Sequence, residues 1–261
     1  MELGIEGRRA LVLAASAGIG RGIAAALARE GAKVAMASRS RERTEAAAAE
    51  VGRAAVALEG DTADLERMQT LPAEAGERLG GPIEILVVST GGPPPGAALD
   101  NDLDEWQEAF SSLVLAPRVL AEAAVPAMRA AGWGRIVNVG SSSLREPIPS
   151  LTLSNSLRQA ALGFLKTLAR EVAEDGITVN TIATGRFATE RLAANWGGWE
   201  RMEREAAADV PAGRLGTPEE YGDLVAFLCS ERAAYLTGAL IPLDGGTAAR
   251  SSSWRFSIRR R

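Results

Sequence analysis

The stretch Ala10-Leu11-Val12-Leu13-Ala14-Ala15-Ser16-Ala17-Gly18-Ile19-Gly20-Arg21-Gly22 limits the possible folds of this chain more than any other. It opens as a short apolar run suited to a buried strand and turns through small residues. It continues as Ile23-Ala24-Ala25-Ala26-Leu27-Ala28-Arg29-Glu30, a run of strong helix formers. The pattern predicts strand, tight turn, helix. Such a turn leaves backbone N–H groups unpaired at a helix N-terminus, where the peptide dipoles favour an anion, and its small residues let a pyrophosphate approach. An ordinary strand-to-helix connection can look the same, so the rest of the chain has to decide.

The remainder alternates in the same way. Strands are expected at 33–38, 54–58, 83–88, 135–139, 177–182 and 239–243, with helices at 41–52, 64–79, 103–130, 152–174 and 218–230 between them. Pro72 and Gly76 weaken the third helix, and Pro242 marks the last strand as an edge. Residues 189–208 read as helical but broken at Gly197-Gly198, and Thr217 before Pro218 reads as an N-cap. Seven strands separated by helices predict an α/β fold: one doubly wound, Rossmann-type domain at 1–248 with helices on both faces of a parallel sheet. Residues 249–261 then form a basic, mobile extension.

Composition narrows the function. A chain of 261 residues, 46% hydrophobic and 24% charged, can bury one full core. A formal net charge of −4 argues against nucleic acid and anionic membranes as partners. One cysteine excludes an internal disulfide, and the absence of histidine removes the usual zinc sites, so no metal is expected. With no leader pattern and no apolar run expected to reach membrane-spanning length, the expected address is cytoplasmic.

The end of the second strand refines the ligand. Dinucleotide folds place an acid there to receive the adenosine ribose; this chain has Ser38-Arg39. Without a carboxylate a 2′-phosphate meets no repulsion, and Arg39 can hold it in a forked manner, which favours NADP(H) over NAD(H). Alternatively, Arg39 belongs to a solvated loop with Arg41 and Arg43.

From about Leu3 to Gly246 the chain resembles the short-chain dehydrogenase/reductase family. The resemblance rests on Leu168-Ala169-Arg170-Glu171, Gly176-Ile177-Thr178-Val179-Asn180, Gly216-Thr217-Pro218-Glu219-Glu220, Phe227-Leu228-Cys229-Ser230, and Leu236-Thr237-Gly238 through Asp244-Gly245-Gly246. It implies cofactor contacts from Ala14, Ser16, Ala17, Gly18, Ile19 and Gly20 in the first turn, and from Asp61 and Thr62 at the adenine. It also implies contacts from Thr90 and Gly91, and from Gly185, Phe187 and Thr189 around the nicotinamide. Ser141 matches the family's catalytic serine.

The departures from the family pattern are chemical. The turn has Leu13-Ala14 where Thr-Gly is usual, and the extra methyl restricts the backbone. The family's catalytic asparagine falls at Leu113 or a neighbouring serine. Counted back from Leu168, the Tyr-x-x-x-Lys pair becomes Ser154 and Arg158, inside a Ser-Asn-Ser-x-Arg sequence similar to that of divergent members resembling 3-oxoacyl carrier-protein reductases. Positions four apart share a helix face, so both can still reach one site. A serine is a far weaker acid than a tyrosine, and an arginine does not readily release a proton.

Three readings follow. The protein is an NADP(H)-dependent oxidoreductase acting on a carbonyl or conjugated enone of a small apolar or acyl substrate, with its proton passing through water, Ser141 and Ser154. Alternatively, it binds a dinucleotide without turnover, as a sensor or partner subunit, or its altered turn accepts another ligand. The resemblance further implies a homodimer or homotetramer formed through the 152–174 and 218–230 helices. Trp196, Trp199 and Met202 around Gly197-Gly198 suit either a lid over the substrate or simple packing.

Overall fold

The computed structural model describes residues 2–247; the expected extension at 249–261 lies outside the described residues. The strands are β1 (Arg9–Leu13), β2 (Lys33–Ser38), β3 (Ala55–Glu59), β4 (Ile85–Ser89), β5 (Gly134–Val139), β6 (Ile177–Thr184) and β7 (Leu240–Leu243). They form one parallel sheet in the order β3-β2-β1-β4-β5-β6-β7. Ala10 pairs with Val34 on one side and Ile85 on the other, so the strand order reverses at β1. A doubly wound sheet binds its ligand at that reversal, outside the carboxyl ends of the strands. The loops after β1, β4, β5 and β6 therefore meet there.

Alternation along β1 supplies both cores. Val12 faces a layer with Ile23, Leu27, Tyr221 and Val225, from α1 (Gly18–Arg29) and a C-terminal helix at Pro218–Leu228. Leu11 and Leu13 face a layer with Met68, Leu71, Leu120 and Leu165. This period of two, apolar on both faces, is what a strand covered by helices requires. On the first face, the two helices cross where neither can carry a side chain. A Cβ on Gly22 would strike the Pro218 carbonyl oxygen, and one on Gly222 would strike that of Gly22.

The other helices are α2 (Arg41–Val51), α3 (Leu65–Leu79), α4 (Leu103–Phe110), α5 (Ala116–Ala131), α6 (Thr152–Glu171), α7 (Glu190–Asn195), α8 (Trp199–Arg201) and α9 (Pro218–Leu228). Pro72 does not break α3, because it is buried in the helix face with Met68 and Leu71, which offsets the missing hydrogen bond. The expected single helix at 103–130 is α4 and α5 joined by a π-turn, Ser111–Leu115.

One expectation needs correction: Leu103–Ala131 is long enough, and an 18-residue stretch within it at a mean hydropathy of 1.3 apolar enough, to cross a membrane by length and composition. Its apolar character has a local cause. Ala116, Leu120, Ala121, Ala124 and Met128 are buried against the sheet and α3. Arg118 and Glu122, by contrast, form an exposed ion pair.

Candidate active site

The first turn is built under constraint. Ala14 adopts φ 52, a left-handed conformation that costs an L-residue roughly 1–2 kcal/mol. Gly20 has no freedom either, since a Cβ there would strike the Ala14 carbonyl oxygen. Helix α1 follows Ala17, whose methyl gives it no side-chain cap. By contrast, α2, α3, α4 and α9 are capped by Ser40, Asp64, Asp102 and Thr217, the last two in full capping boxes. The uncapped N-terminus, with Ser16, Ala17, Gly18 and Ile19 half-buried around it, offers its amide hydrogens to an anion.

At the end of β2, Ser38 is tied inward, its hydroxyl 2.7 Å from that of Thr44. Arg39 is exposed and has no hydrogen-bond or ion-pair partner among the described residues. Its neighbours differ: Arg41 pairs with Glu45 at 2.9 Å and Arg43 reaches Glu190 of α7 at 3.4 Å. Arg41 and Arg43 lie in α2, so of the three arginines only Arg39 is on the loop, and only Arg39 lacks such a partner among the described residues. Asp61 receives the Ala63 amide at 3.0 Å, which shapes the loop after β3 beside half-buried Thr62.

At the other end of the cleft, α6 brings Ser154 and Arg158 together. The Arg158 Nε donates to the Ser154 Oγ at 3.1 Å, Nη1 to the Val139 carbonyl at 3.4 Å and Nη2 to the Gly91 carbonyl at 3.3 Å. One guanidinium thus ties α6 to the ends of β5 and β4. Its charge has no acidic partner there, and burial with the nearby positive Arg191 pushes its pKa down to about 10. Ser141 leads into the turn after β5 and accepts the Ser143 amide at 3.1 Å. That turn is pinned to α6 by Gln159, which donates to the Leu144 carbonyl at 2.9 Å. Thr90 is half-buried, and a Cβ on Gly91 would meet open space.

Other expected site residues have structural duties. Leu113 is buried with Ala109, Leu153 and Leu157, so it packs the π-turn onto α6 and offers no polar group. Gly185 is needed because a Cβ would strike the Asp244 backbone. The Phe187 ring is buried edge-to-face on Tyr221, 5.1 Å between centroids, and its backbone bridges to Gly216. Thr189 caps α7 by accepting the Leu192 amide and lies over Gly18. Met202 is buried with Ala193 and Val210, with Trp196 packed on them and only Trp199 of this group largely exposed. Simple packing thus accounts for two of the three expected lid residues.

Arg191 went unnoticed in the sequence. It follows Thr189 by two residues on α7, and its guanidinium lies so close against Gly92 that a Cβ there would strike it. A lone arginine on a short polar segment carries no pattern that would single it out.

A crevice at the strand reversal, with an open helix end on one side and a hydroxyl-guanidinium pair on the other, defines a nucleotide-binding Rossmann-type protein. The family model described as enoyl-(acyl carrier protein) reductase matches residues 13–248. Dehydrogenase/reductase SDR family member 4 of Homo sapiens is 35% identical over 245 residues, 92% of this chain and 87% of that protein. The 3-oxoacyl-[acyl-carrier-protein] reductase FabG of Vibrio harveyi is 33% identical over 245 residues, 94% of this chain and 98% of the other. Among solved structures, the L-sorbose reductase of Gluconobacter frateurii, complexed with NADPH and L-sorbose, superposes with a TM-score of 0.90 at 31% identity, covering 96% of this chain and 100% of that one. The chain belongs to the short-chain dehydrogenase/reductase family and is an oxidoreductase of that family.

Proposed function

We propose that the cleft takes NADP(H) in preference to NAD(H), and that the protein transfers hydride to or from a carbonyl or conjugated enone of a small apolar or acyl substrate. The observation that carries this reading is the unmatched Arg39 at the end of β2, at the opposite end of the cleft from the Ser154–Arg158 pair. NADPH in the L-sorbose reductase complex and the 3-oxoacyl substrate named for the FabG relatives support the cofactor and the acyl class.

The residues present fit such a cofactor. The turn from Ala14 to Gly20 and the open end of α1 hold the pyrophosphate, Arg39 the 2′-phosphate, and Asp61 and Thr62 the adenine. Thr90, Gly91, Gly185, Phe187 and Thr189 border the nicotinamide, with Arg158 donating to its ribose. When bound, the dinucleotide supplies or accepts the hydride. Ser141 and Ser154 hydrogen-bond the substrate oxygen. Because the Ser154 oxygen accepts from Arg158, its own hydrogen is directed to another acceptor. Arg158 holds a fixed positive charge beside that oxygen, and the proton passes through water and the two hydroxyls. We place the protein in the cytoplasm as a homodimer or homotetramer pairing through α6 and α9.

The test is a fluorescence titration with NADPH and NADH, followed by a turnover assay on ketones, 3-oxoacyl thioesters and enones. Expected is saturable binding with NADPH preferred, and oxidation of NADPH by one substrate class. Equal affinity for the two cofactors would remove Arg39 from its role.

A second reading, binding without turnover, is favoured by the positions of the tyrosines. Tyr221 is sealed in the core with its hydroxyl 2.8 Å from that of Thr184, and burial pushes its pKa well up; Tyr235 is fully exposed. Activity that emerges only in the double variant Ser154→Tyr, Arg158→Lys would select this reading.

A further inference from the structure

Three consecutive residues at the start of α7 reach across the cleft to different walls. Thr189 lies over Gly18 of the first turn, Glu190 pairs with Arg43 at the start of α2, and the Arg191 guanidinium rests against Gly92 in the loop after β4. Arg191 therefore stands between Arg39, at the adenosine end, and Arg158, at the nicotinamide end. Burial, and after it repulsion by Arg39, holds its pKa below the usual arginine value, and its own charge adds to the lowering that burial imposes on Arg158. No carboxylate relieves that repulsion: Arg191 has no hydrogen bond or ion pair among the described residues, and the adjacent Glu190 is engaged by Arg43.

A guanidinium near two others, with no acid among them, is stabilised when an anion enters between them. The part of a dinucleotide that lies between its two ribose groups is the pyrophosphate. On the opposite wall is the uncapped end of α1, whose turn carries the Ala14 methyl on a left-handed backbone.

We propose that Arg191 is a dinucleotide-binding residue that closes onto the pyrophosphate from α7, opposite the amides of α1. The proposal rests on the reading that this cleft takes NADP(H). Arg39 and Arg191 then divide the work. Arg39 recognises the phosphate that distinguishes NADP(H) from NAD(H), and Arg191 the pyrophosphate that both share.

Calorimetric titrations of the wild-type chain, Arg191→Met, Arg191→Lys and Arg39→Met with NADPH, NADH, ADP-ribose and 2′-AMP test this. Arg191→Met should weaken NADPH, NADH and ADP-ribose alike, by about ten- to hundredfold, the range of a lost charge-assisted contact, and leave 2′-AMP unchanged. Arg191→Lys should recover part of the loss because the charge remains without the fork. Arg39→Met should show the converse, losing 2′-AMP and the NADPH preference while sparing ADP-ribose.

Unchanged ADP-ribose and NADPH affinity in an Arg191→Met protein with a native melting curve overturns the proposal. If only the substrate KM rises in that variant, the residue reads a substrate anion and the proposal fails. Loss of 2′-AMP in Arg191→Met equal to that of ADP-ribose would assign the residue to the 2′-phosphate and also overturn it. Failure of the wild-type chain to bind either NADPH or ADP-ribose would instead reject the dinucleotide reading itself.

Discussion

The two ends of the sheet treat positive charge in opposite ways. At the amino-terminal end, Glu84 sits just before β4, nearly buried, and receives Arg8 at 2.5 Å and Arg9 at 2.6 Å. Arg8 and Arg135 both stack on Trp133, their guanidinium carbons 3.9 and 4.3 Å from the ring centroid. Arg135, buried in β5, donates to the carbonyls of Gly134, Gly176 and Ser230. At the carboxyl-terminal end, Arg158 has only uncharged partners, and Arg39 and Arg191 have none among the described residues. At one end Arg8 and Arg9 are matched by Glu84 and Arg135 is held by carbonyls and a ring, all inside the fold; at the other, three neighbouring arginines have no acid among the described residues, the arrangement that an entering anion would stabilise.

Removing the shared acid should give the largest effect. Glu84→Leu leaves two guanidinium groups facing a buried position without a counter-charge and should cost about 3–5 kcal/mol, read as a lower urea midpoint. NADPH affinity of the folded fraction should be unchanged. The corresponding change at the other end should separate stability from binding. Arg158→Met removes a charge that burial already disfavours, so the chain should be at least as stable, while NADPH affinity falls about tenfold or more. A comparable stability loss in both variants would erase the distinction between the ends.

Ala14→Gly sharpens the comparison by releasing backbone strain at the site. Relief of the left-handed conformation exceeds the extra freedom of the unfolded glycine, and a net gain of about 0.5 kcal/mol should appear as a raised Tm. Smallest is the effect at Glu220, a matched charge on the surface. Arg214 and the Thr217 amide hold its carboxyl down to about 2 from an ordinary 4.5. A depressed carboxylate contributes stability above its unfolded pKa and loses it as pH falls through the folded value. Glu220→Gln should therefore flatten the acid limb between pH 4.5 and about 2, by only a few tenths of a kcal/mol because the pair is solvent-screened.

The elements that show a strong local pattern were legible in the chain. The seven strands, the Thr217 cap, the edge position of β7 and the pairing of Ser154 with Arg158 all follow from periodicity or spacing. Less legible were features set by what packs against a residue. Pro72 reads as a helix breaker until its burial is seen, and the apolar 103–131 segment satisfies a membrane criterion although it covers the sheet. Arg39, Arg41 and Arg43 are alike in the chain; only their partners, Glu45 and Glu190, separate the one left unmatched.

By itself the sequence determined that this chain is a doubly wound nucleotide-binding domain, because strand and helix periods and glycine turns act over a few residues and need no distant partner. Only the tertiary structure decided which cations are free. Whether a charge is matched depends on side chains brought together across more than a hundred positions, as Arg43 with Glu190 and Arg29 with Asp223 are, and no local pattern encodes that meeting.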